Sequence, residues 1–197
     1  GSSAEYTVSD LESIIKSDLK GPGTGQSLPL PHELPCRSGQ GTTQGTVIHE
    51  VLRGRDPLVV CREYGVADED LIRQCNDAAV HFRESALMQR VKREFCELPV
   101  SIPVGDIRIR GTIDRLCELD DGSWILIDYK TAPVTPGSCQ AQEELYKVQM
   151  AVYMLAAGLL VNKPVKGYLY FTATGEFHQV RFDVPTVIES ISNELVR

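Results

Sequence analysis

The chain has 197 residues, with 20 Lys+Arg, 27 Asp+Glu and 4 His, and a formal net charge of −7. Its 42% apolar and 24% charged content is that of a globular chain long enough for one domain, or two small ones, with a real core. No uninterrupted apolar run of about 18 residues occurs, so no membrane partner is expected, and the acidic balance argues against a general coat for polyanions while leaving room for a local basic groove.

Gly1-Ser2-Ser3-Ala4 lacks the basic and apolar regions of a signal peptide and reads as an expression scar. Residues 5–197 then read as a single domain. Within it, 5–19 predict a short helix with Leu11, Ile14, Ile15 and Leu19 on one side. Residues 20–41, rich in Gly, Pro, Ser and Gln, predict a flexible loop. Gly21-Pro-Gly-Thr-Gly-Gln26-Ser27 inside it lacks the Lys and the leading strand of a phosphate-binding loop, so no nucleotide cofactor is expected.

A helix over 43–54 carries His49 among Val47, Ile48, Val51 and Leu52. A long amphipathic helix is expected over 68–93, capped by Asp68. The period then changes to two, giving strands over 97–104, 107–119 and 123–131. Helix returns over 141–160, strands follow over 167–173 and 176–184, and a helix over 186–196 closes the chain. This order predicts an α/β fold with a mixed sheet flanked by helices.

Cys36, Cys61, Cys75, Cys96, Cys117 and Cys139 are scattered, with no Cys-x-x-Cys pair. They read as reduced, mostly buried thiols, which favours a cytoplasmic location. Between Arg83 and Arg115 seven Lys/Arg stand against five Asp/Glu, a weak excess that a solvated face also explains.

The chemistry concentrates in Gly111-Thr-Ile-Asp114-Arg-Leu-Cys-Glu-Leu-Asp-Asp-Gly122-Ser-Trp-Ile-Leu-Ile-Asp128-Tyr-Lys130-Thr131. Asp120-Asp121-Gly122 fits a three-residue hairpin loop with Gly in the left-handed position. If Leu119 pairs with Ser123, Leu116 faces Leu126, Asp114 faces Asp128 and Thr112 faces Lys130. Two opposed carboxylates about 5 Å apart repel by roughly 3 kcal/mol at an effective dielectric of 20. A divalent cation between them turns that cost into a binding site; a neighbouring Lys, or a register shifted by one residue, also relieves it.

Asp114, Asp128-Tyr-Lys130-Thr, Gln149-Met-Ala-Val-Tyr153 and Gly45-x-x-x-His49-x-x-Leu52 together resemble the nuclease domain of RecB and AddA helicase–nucleases, a branch of the PD-(D/E)xK superfamily. Glu97-Leu-Pro-Val100 is similar to the family's Glu-x-Pro-apolar segment, and the likeness runs from about residue 5 to 183. The resemblance implies a restriction-endonuclease-like fold and metal-dependent hydrolysis of DNA, most naturally single strands fed by a helicase domain or subunit of a RecBCD- or AddAB-like complex. It implies that His49, Asp114, Asp128 and the Tyr129 backbone carbonyl hold Mg²⁺, with Mn²⁺ accepted. By the same likeness Lys130 orients the attacking water and stabilises developing charge, while Gln149 and Tyr153 support the site and touch the DNA backbone. Ile113 replaces the superfamily's nominal Pro, and no cysteines flank the core as in relatives with an iron–sulfur cluster, so no cluster is expected. The rival readings are an inactive DNA-binding or scaffold module, a stand-alone exonuclease like those of CRISPR adaptation, and a metal-free fold in which Lys130 merely pairs with the carboxylates.

Overall fold

The alternating runs of the sequence assemble into a six-stranded mixed sheet covered by helices on both faces. The structure is a computed structural model describing residues 5–7, 43–131 and 139–195. In chain order its elements are β1 (Glu5–Thr7), α1 (Thr43–Leu52), α2 (Pro57–Glu63), α3 (Glu69–Glu84), β2 (Val91–Val104), β3 (Ile107–Leu119), β4 (Trp124–Lys130), α4 (Cys139–Val161), β5 (Val165–Phe171), β6 (Glu176–Gln179) and α5 (Val184–Leu195). The 20–41 loop lies outside the described residues, as do residues 1–4.

β3 is the hub. β2 runs antiparallel along its whole length, from Val91 opposite Leu119 to Val104 opposite Ile107. A strand has two hydrogen-bonding edges, so β4 and β1 share the other: β4 pairs antiparallel with residues 115–118 and β1 parallel with residues 108–110. β5 lies parallel to β4, and β6 antiparallel to β5. β4 is buried at every position but Lys130, as a strand covered on both faces must be. Its Trp124 and Leu126 face a core with Met150, Ala151, Val152, Ala156 and Ala157 of α4 and Val187 and Ile191 of α5. Its Ile125, Ile127 and Tyr129 face a second core with Val47, Val51 and Leu52 of α1, Val60 of α2 and Ala79 and Phe82 of α3.

Several expectations are corrected. Glu5–Thr7 is a strand, because the edge of β3 beyond β4 has unpaired backbone groups that it satisfies; residues 8–19 are not described. α2 has no counterpart in the sequence reading: Asp56 accepts from Leu58 and Val59 N–H at 2.9 and 3.1 Å and Pro57 opens the helix, but seven residues are too few to show a period. α3 stops at Glu84, where Ser85 turns both its hydroxyl and its N–H onto the Phe82 carbonyl. β2 then starts at Val91 rather than Glu97; the four-residue spacing of Val91 and Phe95 suits helix and strand alike. β6 ends at Gln179, short of the expected 184.

Within α4, Ala141–Val161 is long and apolar enough, with a mean hydropathy of 1.3, to cross a membrane by length and composition alone. It carries Glu143, Glu144 and Lys147 and lays its apolar side on the sheet, as a core helix does.

Phe82 anchors the second core, with its ring 5.7 Å from Tyr129, 4.9 Å from Tyr170 and 5.6 Å from Phe177. Phe82→Ala is expected to cost about 3–5 kcal/mol of stability in urea unfolding; a loss under about 1 kcal/mol would show that this cluster does not hold α3 to the sheet.

Candidate metal centre

The hairpin sets the geometry. Leu119 N–H bonds the Ser123 carbonyl at 2.9 Å, Gly122 sits at φ +77°, and Leu116 lies opposite Leu126. The β3–β4 ladder runs only to Arg115 opposite Ile127. One step further, where Asp114 meets Asp128 in this register, the strands part: Tyr129 N–H donates to Asp114 Oδ2 at 2.8 Å in place of a backbone carbonyl. A carboxylate thus fills the gap between two interior strands.

Side chains from α1 and β2 converge on this gap. From α1, His49 Nδ1 lies 3.8 Å from Asp114 Oδ1, with its ring edge-on to Tyr129 at 5.3 Å. From β2, Glu97 enters at the position opposite Asp114, between the pairs Cys96–Arg115 and Leu98–Ile113. Its backbone is left-handed, at φ 51°, which takes its side chain out of the strand's alternation. One donor atom each of His49, Glu97 and Asp114 lies within 4.8 Å of the other two.

Burial raises the Asp114 carboxyl well above its usual range, and the Asp128 carboxylate raises it further. Burial likewise lifts Glu97, with Arg53 opposing the effect and Glu50 adding to it. Burial lowers His49, keeping the imidazole neutral and able to donate a lone pair, against the pull of Asp128. Two carboxyls held reluctant to ionise beside a neutral imidazole form a donor set of hard oxygens and one nitrogen, which suits Mg²⁺ or Mn²⁺.

Asp128 and Lys130 share the α4-facing side of β4, and the Asp128 carboxylate is near enough to Asp114 and His49 to shift both. Lys130 Nζ is 2.7 Å from Asp128 Oδ2, donates to Gln149 Oε1 at 2.6 Å and lies 3.8 Å from the centre of the Tyr146 ring. Asp128 Oδ2 is buried and, beyond the Lys130 ammonium, has no hydrogen-bond partner among the described residues. Tyr153 is buried beneath; burial first, then Asp128 and Asp114, raise its hydroxyl, which bonds the Thr112 backbone and Gln149.

Of the residues singled out from the sequence, His49 and Asp114 meet directly, Asp128, Lys130 and Gln149 form an adjoining chain, and Tyr129 joins the two through its backbone. The sequence marks Glu97 only as part of a Glu-x-Pro segment; a charged side chain between Cys96 and Leu98 at the head of a strand pattern is the available signal. Arg115 and Tyr146 carry no such mark. The Arg115 guanidinium, 4% exposed, donates to Tyr129 Oη at 2.6 Å, to Glu94 and to the Leu52 carbonyl at the end of α1, and lies 5.1 Å from the Phe82 ring. It ties the elements bearing His49, Glu97 and Asp128 together.

A family model described as the PD-(D/E)XK nuclease superfamily matches residues 32–194. The chain belongs to that superfamily. Similar proteins include an ATP-dependent helicase/nuclease subunit from Acetivibrio thermocellus, 41% identical over 63 residues, 32% of this chain and 5% of that protein. Its counterpart from Ruminiclostridium cellulolyticum is 37% identical over 87 residues, 43% of this chain and 7% of that protein. The chain therefore matches only a small part of the length of these relatives. In fold it is similar to the crystal structure of a candidate exonuclease from Eubacterium rectale, with a TM-score of 0.61 and 9% identity, covering 96% of this chain and 78% of that one. This PD-(D/E)XK domain is thus homologous to the nuclease part of AddA/RecB-type proteins.

The raised Asp114 carboxyl binds its proton more tightly folded than unfolded, so its contribution to stability declines as pH rises from the ordinary carboxylate range through the folded value. Asp114→Asn keeps an acceptor for Tyr129 N–H without the charge. In metal-free buffer this variant is expected to melt above the parent at pH 8, the gap closing towards pH 4; a gap that widens on acidification would contradict the assignment.

Proposed function

We propose that this domain is a divalent-metal-dependent deoxyribonuclease acting on single strands delivered by a helicase domain or subunit. The observation that carries the proposal is the convergence of His49, Glu97 and Asp114 donor atoms within 4.8 Å, beside the Asp128–Lys130 pair. His49, Glu97 and Asp114 would hold the ion, with Asp128 and the Tyr129 carbonyl completing the set. Bound there, Mg²⁺ or Mn²⁺ supplies acidification of water and a counter-charge for the phosphoryl oxygens.

The chain's own groups do the rest. Lys130 sits on a rigid central strand, its ammonium fixed by Gln149, Asp128 and the face of Tyr146, so a compact positive charge is aimed beforehand at the reacting phosphate. Gln149 acts through Lys130, and Tyr153 forms the floor that orients Gln149; both are positioning residues. Asp128 serves twice, as donor and as the ion-pair partner of Lys130 at 2.7 Å. Next to Thr131 a cavity of about 670 Å³ between α1, α3 and the β5–β6 turn leaves room for the strand on the far side of the site.

The helicase partner is supported by the names of the similar proteins, and a cytoplasmic setting by the free thiols of Cys61, Cys75, Cys96 and Cys117 among the described residues. An inactive scaffold reading lacks support, because every residue type the chemistry needs is present.

Single-stranded DNA is expected to be cleaved with Mg²⁺ or Mn²⁺ and to survive with EDTA; cleavage that persists in EDTA removes the metal mechanism. Asp128→Ala is expected to lower turnover at least about a hundredfold with an unchanged circular dichroism spectrum. Lys130→Ala should depress turnover by a similar factor while leaving Mn²⁺ affinity by calorimetry within about threefold; the reverse pattern would make Lys130 structural.

A further inference from the structure

A second feature lies one helical turn from the metal cluster. Past His49, α1 ends at Leu52–Arg53–Gly54, and a groove of about 380 Å³ opens between that end, the end of α3 and the start of β2. Its lining carries Arg53, Arg83, Lys92, Arg93 and Arg115 against one acidic side chain, Glu94. In a chain of net charge −7 this concentration of cations on one concavity is a local reversal of sign.

The partners of these cations show which are committed to the fold. Arg115 is consumed by Glu94, Tyr129 and the Leu52 carbonyl. Arg53 pairs with Glu50 at 3.1 Å and Arg93 with Glu118 at 2.8 Å. Arg83 and Lys92 are exposed and have no ion-pair partner among the described residues. Arg83 and Lys92, beside three cations already paired, leave the groove with a net positive charge that suits an anionic ligand.

The groove and the metal cluster are built on the same three elements. His49 and Arg53 are one turn apart at α1, Glu97 and Arg93 are four residues apart on β2, and Asp114 and Arg115 are adjacent on β3. Four strand residues span about 13 Å, one or two nucleotides of extended strand. Arg53 lines the groove one turn beyond His49, so the groove opens beside the cluster.

The lining also decides what part of a strand it fits. Leu52, Met88 and Val91 are its apolar members, and no aromatic ring lines it as a platform for stacked bases. Flexible Arg and Lys side chains without an aromatic platform bind phosphates and carry no base readout. We propose that this groove is the seat of the phosphate backbone of the substrate strand, one or two nucleotides from the scissile bond. It rests on the nuclease reading and adds the path of the strand and its lack of sequence preference.

The test uses the full 197-residue chain. Binding of a fluorescein-labelled oligo-dT 20-mer is followed by anisotropy in EDTA, where no cleavage intervenes, between 50 and 200 mM NaCl (about fourfold in salt, enough to resolve the slope). Arg83→Gln/Lys92→Gln is expected to bind about tenfold more weakly at the lower salt, and its log–log salt slope should be shallower by about 0.7 for each phosphate contact removed. The charge-preserving Arg83→Lys/Lys92→Arg should keep the parent's slope, and a mixed-sequence oligonucleotide should lose affinity equally. Metal-dependent cleavage by the parent with an identical salt slope in parent and Gln variant overturns the groove and leaves the nuclease reading standing. Groove-dependent binding without metal-dependent cleavage overturns the nuclease reading instead. A parent chain that does not bind the oligonucleotide at all overturns the groove.

Discussion

The structure turns on one break in a hydrogen-bond ladder. β3 and β4 pair through Arg115 and Ile127 and then separate, and a carboxylate oxygen of Asp114 takes the Tyr129 N–H that a backbone carbonyl would have taken. An interior strand pair normally closes with apolar side chains; this one closes with acids. Glu97, Asp114 and Asp128 occupy corresponding places across β2, β3 and β4, so negative charge is concentrated where water screens it poorly. Burial answers by raising the Asp114 and Glu97 carboxyls above their ordinary range. A cation answers more strongly, by neutralising both carboxylates while keeping them ionised. The site is therefore a place where folding concentrates negative charge that a bound cation would neutralise.

Precision comes from the surroundings. Arg115 carries one buried charge that reaches the end of α1, the hydroxyl of Tyr129 and Glu94 of β2. The same guanidinium thus fixes the helix that bears His49, the strand that bears Glu97 and the strand that bears Asp128. On the opposite face α4 brings Tyr146, Gln149 and Tyr153 within one and two turns of each other to hold Lys130. One helical layer brings His49 and the other holds Lys130, while Glu97, Asp114, Asp128 and Lys130 stand on the sheet between them.

The hairpin is legible in the sequence because turn chemistry and alternation agree. Asp-Asp-Gly sets the loop, and the loop sets Leu116 against Leu126 and brings Asp114 to the level of Asp128. The stripe of α4 is legible for the same reason, and so is Asp68 as the cap of α3. Glu97 as a donor is not, because its approach depends on a left-handed residue in a strand, a local departure that no periodicity encodes. Arg115 is hidden by its position next to Asp114: alternation alone says that neighbours face opposite ways, and nothing local names Leu52 or Glu94 as partners. The basic groove shows only as a weak excess of charge between Arg83 and Arg115, since Arg53 enters it from another element and Glu94 is the one acid of that segment in its lining.

The most direct measurement is anomalous scattering from crystals of the chain soaked in Mn²⁺. A single strong peak in contact with His49, Glu97 and Asp114, lost in Asp114→Asn, is expected. A peak elsewhere on the surface, or none among these three at millimolar Mn²⁺, would contradict the metal assignment.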